Sequence, residues 1–240
     1  LNFASADDGC AIGAAFLEAK NSSEVFRKNH QISPFLGNSW TNSEIKKALD
    51  KFSLNYCYYD EKIIGMTAKI LDSGRVVGWF QGKTEFGQRA LGSRSILANP
   101  TIKNMKQLIN KKIKNREEFR PFAPAVLEEE AKNFFHLFGN SSPYMTHNFK
   151  VRAEKKNKIP SVVHLDGTSR VQMVSKNNSL FYQLLKAFWK VSGVPILLNT
   201  SFNVNAEPIV NSPEEAIRCF LNTDIDCLVI GSFFLSKDDP

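Results

Sequence analysis

Cysteine is scarce in this chain, and the few present are unpaired by spacing. Cys10, Cys57, Cys219 and Cys227 are scattered, with no C-x-x-C. That excludes a zinc ribbon and a disulfide framework and fits a reducing cytoplasm. His30, His136, His147 and His164 are equally dispersed, with no H-x-x-x-H pair, so a core or surface place is the default for each. No apolar run approaches the length of a membrane span, and no signal peptide is visible. Neither G-x-G-x-x-G nor G-x-x-x-x-G-K-[ST] occurs, so neither standard phosphate loop is present. Internal repeats and low-complexity segments are also missing.

What remains is an ordinary globular composition with a basic balance. The 240 residues can bury one large core or two small ones, and 42% hydrophobic with 23% charged residues fits a soluble domain. A formal net charge of +7 favours anionic partners. Nucleotides, phosphates, nucleic acid and a membrane surface all qualify, and charge does not choose among them.

The chain is organised around the stretch from Arg75 to Pro124. Val76, Val77, Trp79 and Phe80 read as a strand. A loop with glycines at 82, 87 and 92 follows and carries Arg89 and Arg94. Beyond Pro100, Ile102, Met105, Leu108, Ile109 and Ile113 fit one face of a helix, with Lys103, Lys106, Lys111, Lys112 and Lys114 opposite. Arg116 and Arg120 come next. Such a stretch suits anion binding: glycines let N–H groups approach an oxyanion, arginine forks take phosphate oxygens in pairs, and a helix start adds its dipole. The plain alternative is a solvated basic helix beside a surface loop.

Elsewhere helices and strands alternate, which gives an α/β class. Helices are expected at 43–51, 61–71, 128–138 and 178–191, and from Pro213, where Ser212, Glu214 and Glu215 supply the start signals. Strands are expected at 54–59, 124–126, 149–152, 161–165, Val171–Val174, 194–198 and, last, 227–230. Residues 20–41 read as a connector. The run Asn199-Thr200-Ser201-Phe202-Asn203 sets polar side chains at a strand end, where open α/β sheets bind ligands; a polar turn bonded to itself is the alternative. Arg170 follows an Asp-Gly turn. Near the start, Asp7 and Asp8 precede a glycine and a small-residue segment, Ala11 to Leu17, suited to a helix packed closely on a sheet or a nucleotide.

Five blocks resemble one family. GWFQGKTEFGQRALGSRSILANP, REEFRPFAPAVLEE, HLDGTSRVQMV, GVPILLNTSFNVNAEPIV and SPEEAIRCFLNTDIDCLVIG occur in order across roughly residues 74–235. Together they resemble the C-terminal domain of NodU/CmcH-type carbamoyltransferases. The resemblance implies a YrdC-like domain at 74–240: a twisted, mostly open mixed sheet with helices around a basic cavity. It further implies that 1–35 is the tail of a truncated actin-like carbamoyl-transfer domain and 36–73 a connector opening the second domain. Asp7 then matches a metal-ligand position of an incomplete site, with Fe2+ belonging to the full transfer domain.

The implied reaction forms carbamoyl-adenylate from ATP, with Mg2+, and carbamoyl phosphate, for transfer to a hydroxyl of a sugar or other small molecule. By the same resemblance Lys114, Arg120 and Ser201 are the catalytic candidates. Arg89, Arg94, Arg170, Asn199 and Asn203 join them in binding ATP and carbamoyl phosphate. Lys83 and Gln88 depart from the family's usual Arg and Pro; Lys83 keeps the charge and loses the fork. A nucleotide- or RNA-binding module without catalysis is the other reading, disfavoured because no aromatics interleave with the lysines. A homodimer is left open.

Overall fold

The computed structural model of the chain describes residues 3–22 and 33–237. Part of the 20–41 connector and His30 lie outside those residues. The first half runs α1 (Cys10–Asn21), α2 (Asn42–Lys51), β1 (Cys57–Tyr58), α3 (Ile63–Asp72), β2 (Val77–Phe80), β3 (Arg94–Ala98), α4 (Met105–Leu108) and β4 (Ala123–Leu127). Then come α5 (Ala131–Phe134), β5 (Phe135–His136), β6 (Asn148–Val151), β7 (Thr168–Arg170), β8 (Gln172–Val174), α6 (Ser179–Ser192), β9 (Ile196–Ser201), α7 (Pro213–Leu221), β10 (Cys227–Ile230) and β11 (Phe233–Ser236).

Eight strands form one mixed sheet in the order β1-β11-β10-β2-β3-β9-β4-β8, and β5-β6-β7 form a second, antiparallel one. In the large sheet β10 pairs parallel with β2, and β4 parallel with β8; the other pairings are antiparallel. Strand periodicity sorts the side chains into two cores. Ile196, Leu198, Ile96 and Leu228 pack with α2, α7 and the small sheet. Leu197, Leu97, Trp79 and Val229 pack with α3 and α6. The elements between 42 and 72 belong to the same layers, since β1 pairs with β11 and α3 lies on α6.

Local chemistry explains the helix ends. Thr41 and Glu44 form a capping box on α2, and Ser212 and Glu215 form another on α7, with Pro213 at the first helical position. Gly193 closes α6 in the left-handed conformation at φ +72°.

Several expectations fail for identifiable reasons. The run RSILA is not loop but β3, paired on both sides by β2 and β9. The helix expected at 128–138 stops at Phe134, because Phe135 and His136 pair with Val151 and Lys150. Residues 161–165 are not a strand: Pro160 opens a 3-10 turn over Pro160–Val162, and the strand begins at Thr168. The basic helix is one α turn followed by a π segment at Ile109–Ile113, and Lys114 lies inside the protein rather than on the solvated face. A further strand, β11, follows β10. Helix α1 forms, with none of its residues buried.

One glycine fixes how the 81–93 loop meets the sheet. Gly92 stands at φ +106°, and a Cβ there would lie 2.2 Å from Phe181 Cδ1. Its carbonyl accepts from Trp79 Nε1 at 2.9 Å. Gly92→Ala should therefore lose roughly 2–4 kcal/mol, combining overpacking with backbone strain. Gly193→Ala, where a Cβ meets nothing within 4 Å, should lose only about 1 kcal/mol. Urea unfolding of the two variants checks the difference.

Candidate functional site: a basic cluster at the strand ends

The loop between β2 and β3 has no ladder to satisfy its main chain, and side chains do so instead. Glu85 Oε1 accepts three backbone N–H groups, from Leu91 at 2.8 Å, Ser93 at 2.7 Å and Arg94 at 3.1 Å. Arg94 ties the feet of the loop together. Its buried guanidinium donates to Gln81 O at 2.8 Å, Gly82 O at 3.1 Å, Ser93 O at 3.2 Å and Asn38 O at 3.3 Å, and stacks 3.6 Å from the Phe80 ring. Burial pushes its pKa down to about 10, opposed by Glu85. The carbonyls are held as well: Ala90 O by Asn199 Nδ2, and Leu91 O by Gln172 Nε2 and Asn178 Nδ2.

These contacts change the expected use of the loop. The N–H groups of 91, 93 and 94 are occupied by a carboxylate, and the loop runs into a strand, not a helix. Those three N–H groups are not free for an anion, and no helix dipole is offered there. What the loop offers is Arg89.

Arg89 and Arg116 both act on the guanidinium of Arg170. Arg170, at the end of β7, is pushed down to about 10 by burial first and then by Arg89 and Arg116. Its Nε is buried without a hydrogen-bond partner. Arg116 donates through Nε to Asn110 Oδ1 at 2.7 Å and lies 4.8 Å from the Phe122 ring. Its pKa is lowered by burial and then by Arg120. Asn110, fully buried, also donates to Glu118 O and Arg120 O, and so shapes the turn that carries both arginines. Arg120 is exposed and reaches Glu117 only at 3.8 Å, a weak surface pair. Among the described residues, no ion pair involves Arg89, Arg116 or Arg170. Half-buried His164 is held low by desolvation, with Asp166 opposing and Arg170 adding.

Lys114 forms the other half of the site. It is 3% exposed. Nζ donates to Ser201 O at 2.5 Å, Asn203 Oδ1 at 2.7 Å, Asn203 O at 2.8 Å and Ser201 Oγ at 3.3 Å. Ser201 Oγ donates to Asn203 Oδ1 at 2.6 Å. Burial, and then the Arg116 charge, pushes the Lys114 pKa down to about 7; the ring of oxygens pulls the other way. Asn199, 1% exposed, donates to Ala90 O and Gln172 Oε1, which turns its Oδ1 away, buried and unpartnered.

The structure thus gathers most of the expected residues. Lys114, Ser201 and Asn203 share one hydrogen-bonded node, Arg89 and Arg170 meet in one field, and Asn199 braces the residue beside Arg89. Arg94 is different: its fork is engaged by main-chain carbonyls. Asp7 is exposed in a 3-10 turn, Asp7–Gly9. No group of three or more His, Cys, Asp or Glu that could hold a metal occurs among the described residues. These residues therefore do not fit a resident metal. Arg116, Asn110 and Glu85 were not singled out from the sequence. Arg116 and Glu85 lie inside the quoted blocks, but nothing in their spacing separates them from surface charges.

Lys114 makes stability depend on pH. Between about pH 7 and its ordinary value of 10.5, the unfolded chain holds a proton that the folded chain releases, so stability rises with pH. Lys114→Met should flatten that rise, which reaches at most about 1.4 kcal/mol per pH unit for one proton. Urea midpoints at pH 7 and pH 9, wild type against variant, measure it.

Known proteins place the chain in a family. The family model described as "Carbamoyltransferase C-terminus" matches residues 68–237. The nodulation protein NolNO of Sinorhizobium fredii is 41% identical over 239 residues, 96% of this chain and 35% of its own. Nodulation protein NolO of Bradyrhizobium diazoefficiens is 41% identical over 236 residues, 96% of this chain and 43% of its own. The chain thus spans less than half the length of these curated relatives. Among solved structures, P. abyssi Sua5 complexed with L-threonine superposes with a TM-score of 0.53 at 16% identity, over 70% of this chain and 46% of that one. That likeness supports a YrdC-like fold. With one family matched from 68 to 237 and relatives about 40% identical along nearly all of it, this chain belongs to the carbamoyltransferase C-terminal family.

Proposed function

We propose that this chain is the nucleotide-activating part of a carbamoyltransferase. The observation that carries the reading is Arg170, whose Nε is buried without a hydrogen-bond partner in the field of Arg89 and Arg116, while no ion pair involves any of the three among the described residues. Packed like charges raise each other's free energy, and a polyanion relieves it. ATP, brought with Mg2+ on its phosphates, and carbamoyl phosphate are such polyanions.

In this reading carbamoyl phosphate is hydrolysed to carbamate and phosphate. A carbamate oxygen then attacks the α-phosphorus of ATP, the bond to the β-phosphate oxygen breaks, and pyrophosphate leaves with the electron pair. The chain's own work is positioning and charge neutralisation. Arg89 and Arg170 hold phosphate oxygens as forks, with Arg120 and Arg116 behind them. Lys114 holds Ser201 and Asn203 at the end of β9, where the Ser201 hydroxyl faces the reacting groups. Transfer to a sugar or other small-molecule hydroxyl belongs to a region outside this chain. The setting is cytoplasmic; among the described residues no helix is long and apolar enough to cross a membrane.

The test supplies ATP, carbamoyl phosphate and magnesium and follows carbamoyl-adenylate and pyrophosphate by mass spectrometry. Arg89→Ala and Arg170→Ala should each lower adenylate formation at least about tenfold, the loss of one charge-assisted hydrogen-bond pair. Unfolding midpoints should not fall and should rise slightly, because neither fork supports the core and each change removes a repelling charge. A folded sample that makes no adenylate, yet binds RNA with a steep salt dependence, would replace this reading with that of a nucleic-acid module.

A further inference from the structure

Three N–H groups converging on one oxygen are more than a turn needs. Glu85 is 8% exposed, and Oε1 gathers the N–H groups of Leu91, Ser93 and Arg94 while Oε2 is buried without a partner. The two ends of this contact bracket Arg89: the side chain starts four residues before it and closes two residues after it. On both sides of Arg89 further main-chain groups are fixed. Phe86 N–H donates to Pro34 O at 2.7 Å, and the carbonyls of 90, 91 and 92 accept from Asn199, Gln172 with Asn178, and Trp79. Asn199 and Glu85 grip opposite sides of the Ala90–Leu91 peptide group, its C=O and its N–H. Only Gly87, Gln88 and Arg89 stand between these anchors, and Gly87 takes φ +109°.

We infer that Glu85 is the positioning residue for Arg89: its carboxylate sets where the Arg89 fork stands toward an anion, without touching the anion itself. The reason is geometric. Arg89 has no hydrogen bond of its own to fix its direction among the described residues, so its aim is inherited from the backbone on either side. Removing Glu85 releases three N–H groups at once, and the segment from 86 to 93 must find other acceptors or water. Arg94 cannot compensate, because its fork binds the feet of the loop, not its middle. The inference rests on the nucleotide reading only for the identity of the anion.

Two measurements on the 240-residue chain test it. The first needs no ligand. Hydrogen exchange of peptides covering 85–94 should quicken at least about tenfold in Glu85→Ala, with α6 and β9 unchanged. Unaltered exchange in that loop would overturn the inference whatever the chain binds. The second is a double-mutant cycle on the dissociation constant for ATP. Glu85→Ala should weaken binding about tenfold or more, with Glu85→Gln, which keeps an oxygen at the same reach, in between. In an Arg89→Ala background either change should add less than about twofold, because a residue acting through Arg89 has nothing left to aim. Effects that multiply independently would show that Glu85 does not act through Arg89. Glu85→Gln supplies the same cycle and the same exchange comparison if the alanine variant does not fold. Wild type that fails to bind ATP sinks the nucleotide reading, while the exchange result still decides whether Glu85 governs the loop.

Discussion

The segment from Gln81 to Ser93 leaves one buried strand and enters another with no partner strand of its own, so its main-chain groups must be satisfied from elsewhere. Main-chain groups of residues 34–38 and side chains from the loop, its flanks and more distant strands do this. Glu85 serves the donors, Arg94, Asn199, Gln172 and Trp79 serve the acceptors, and the feet of the loop are closed over Phe80. The sheet order follows the same demand. β3 sits between β2 and β9, which brings Asn199 under Ala90 and leaves Ser201 at the same edge as the loop. A turn that local propensity alone would leave loose is held by long-range contacts.

Against that rigid frame the site is electrostatically unfinished. A frame with every polar group paired would have little reason to bind anything. Here the pairing stops at an Arg170 held low by burial and by the charges of Arg89 and Arg116, and at a Lys114 kept low by burial and by Arg116. Buried charge without a partner destabilises a fold, and this cluster is tolerated because the surrounding cores are extensive and apolar. The binding potential of the site and its strain are the same quantity.

How much of this could be read from the residues depends on whether the signal was local. Capping boxes at Thr41 and Ser212 are short-range patterns, and both helices start where expected. Amphipathic α6 and the apolar run of β9 were equally plain. By contrast, β3 hid inside a glycine-rich stretch because its pairing depends on β9, a hundred positions on. The basic helix misled because its spacing is helical while its packing turns Ile109, Ile113 and Lys114 inward through a π segment. Ser201, Asn203 and Lys114 were legible as motif residues. Their hydrogen-bonded node was not, since no pattern within either segment predicts the other. Arg94 was legible as an arginine in a basic loop, and only the structure shows its fork turned toward carbonyls.

The interior of the large sheet joins strands far apart in the sequence. Val76 N–H donates to Asp226 Oδ2 across 150 positions, and β2 pairs with β10 immediately beside it. On the ribosome, then, β2 emerges long before the strand that will cover its second edge. Until β10 is synthesised, β2 has one edge without its partner, and the antiparallel β3–β9 pairing waits for β9. Such high sequence separation slows folding and leaves a sticky edge exposed during synthesis. Truncation from the C-terminal side would cost this protein an interior strand pair, not merely a tail.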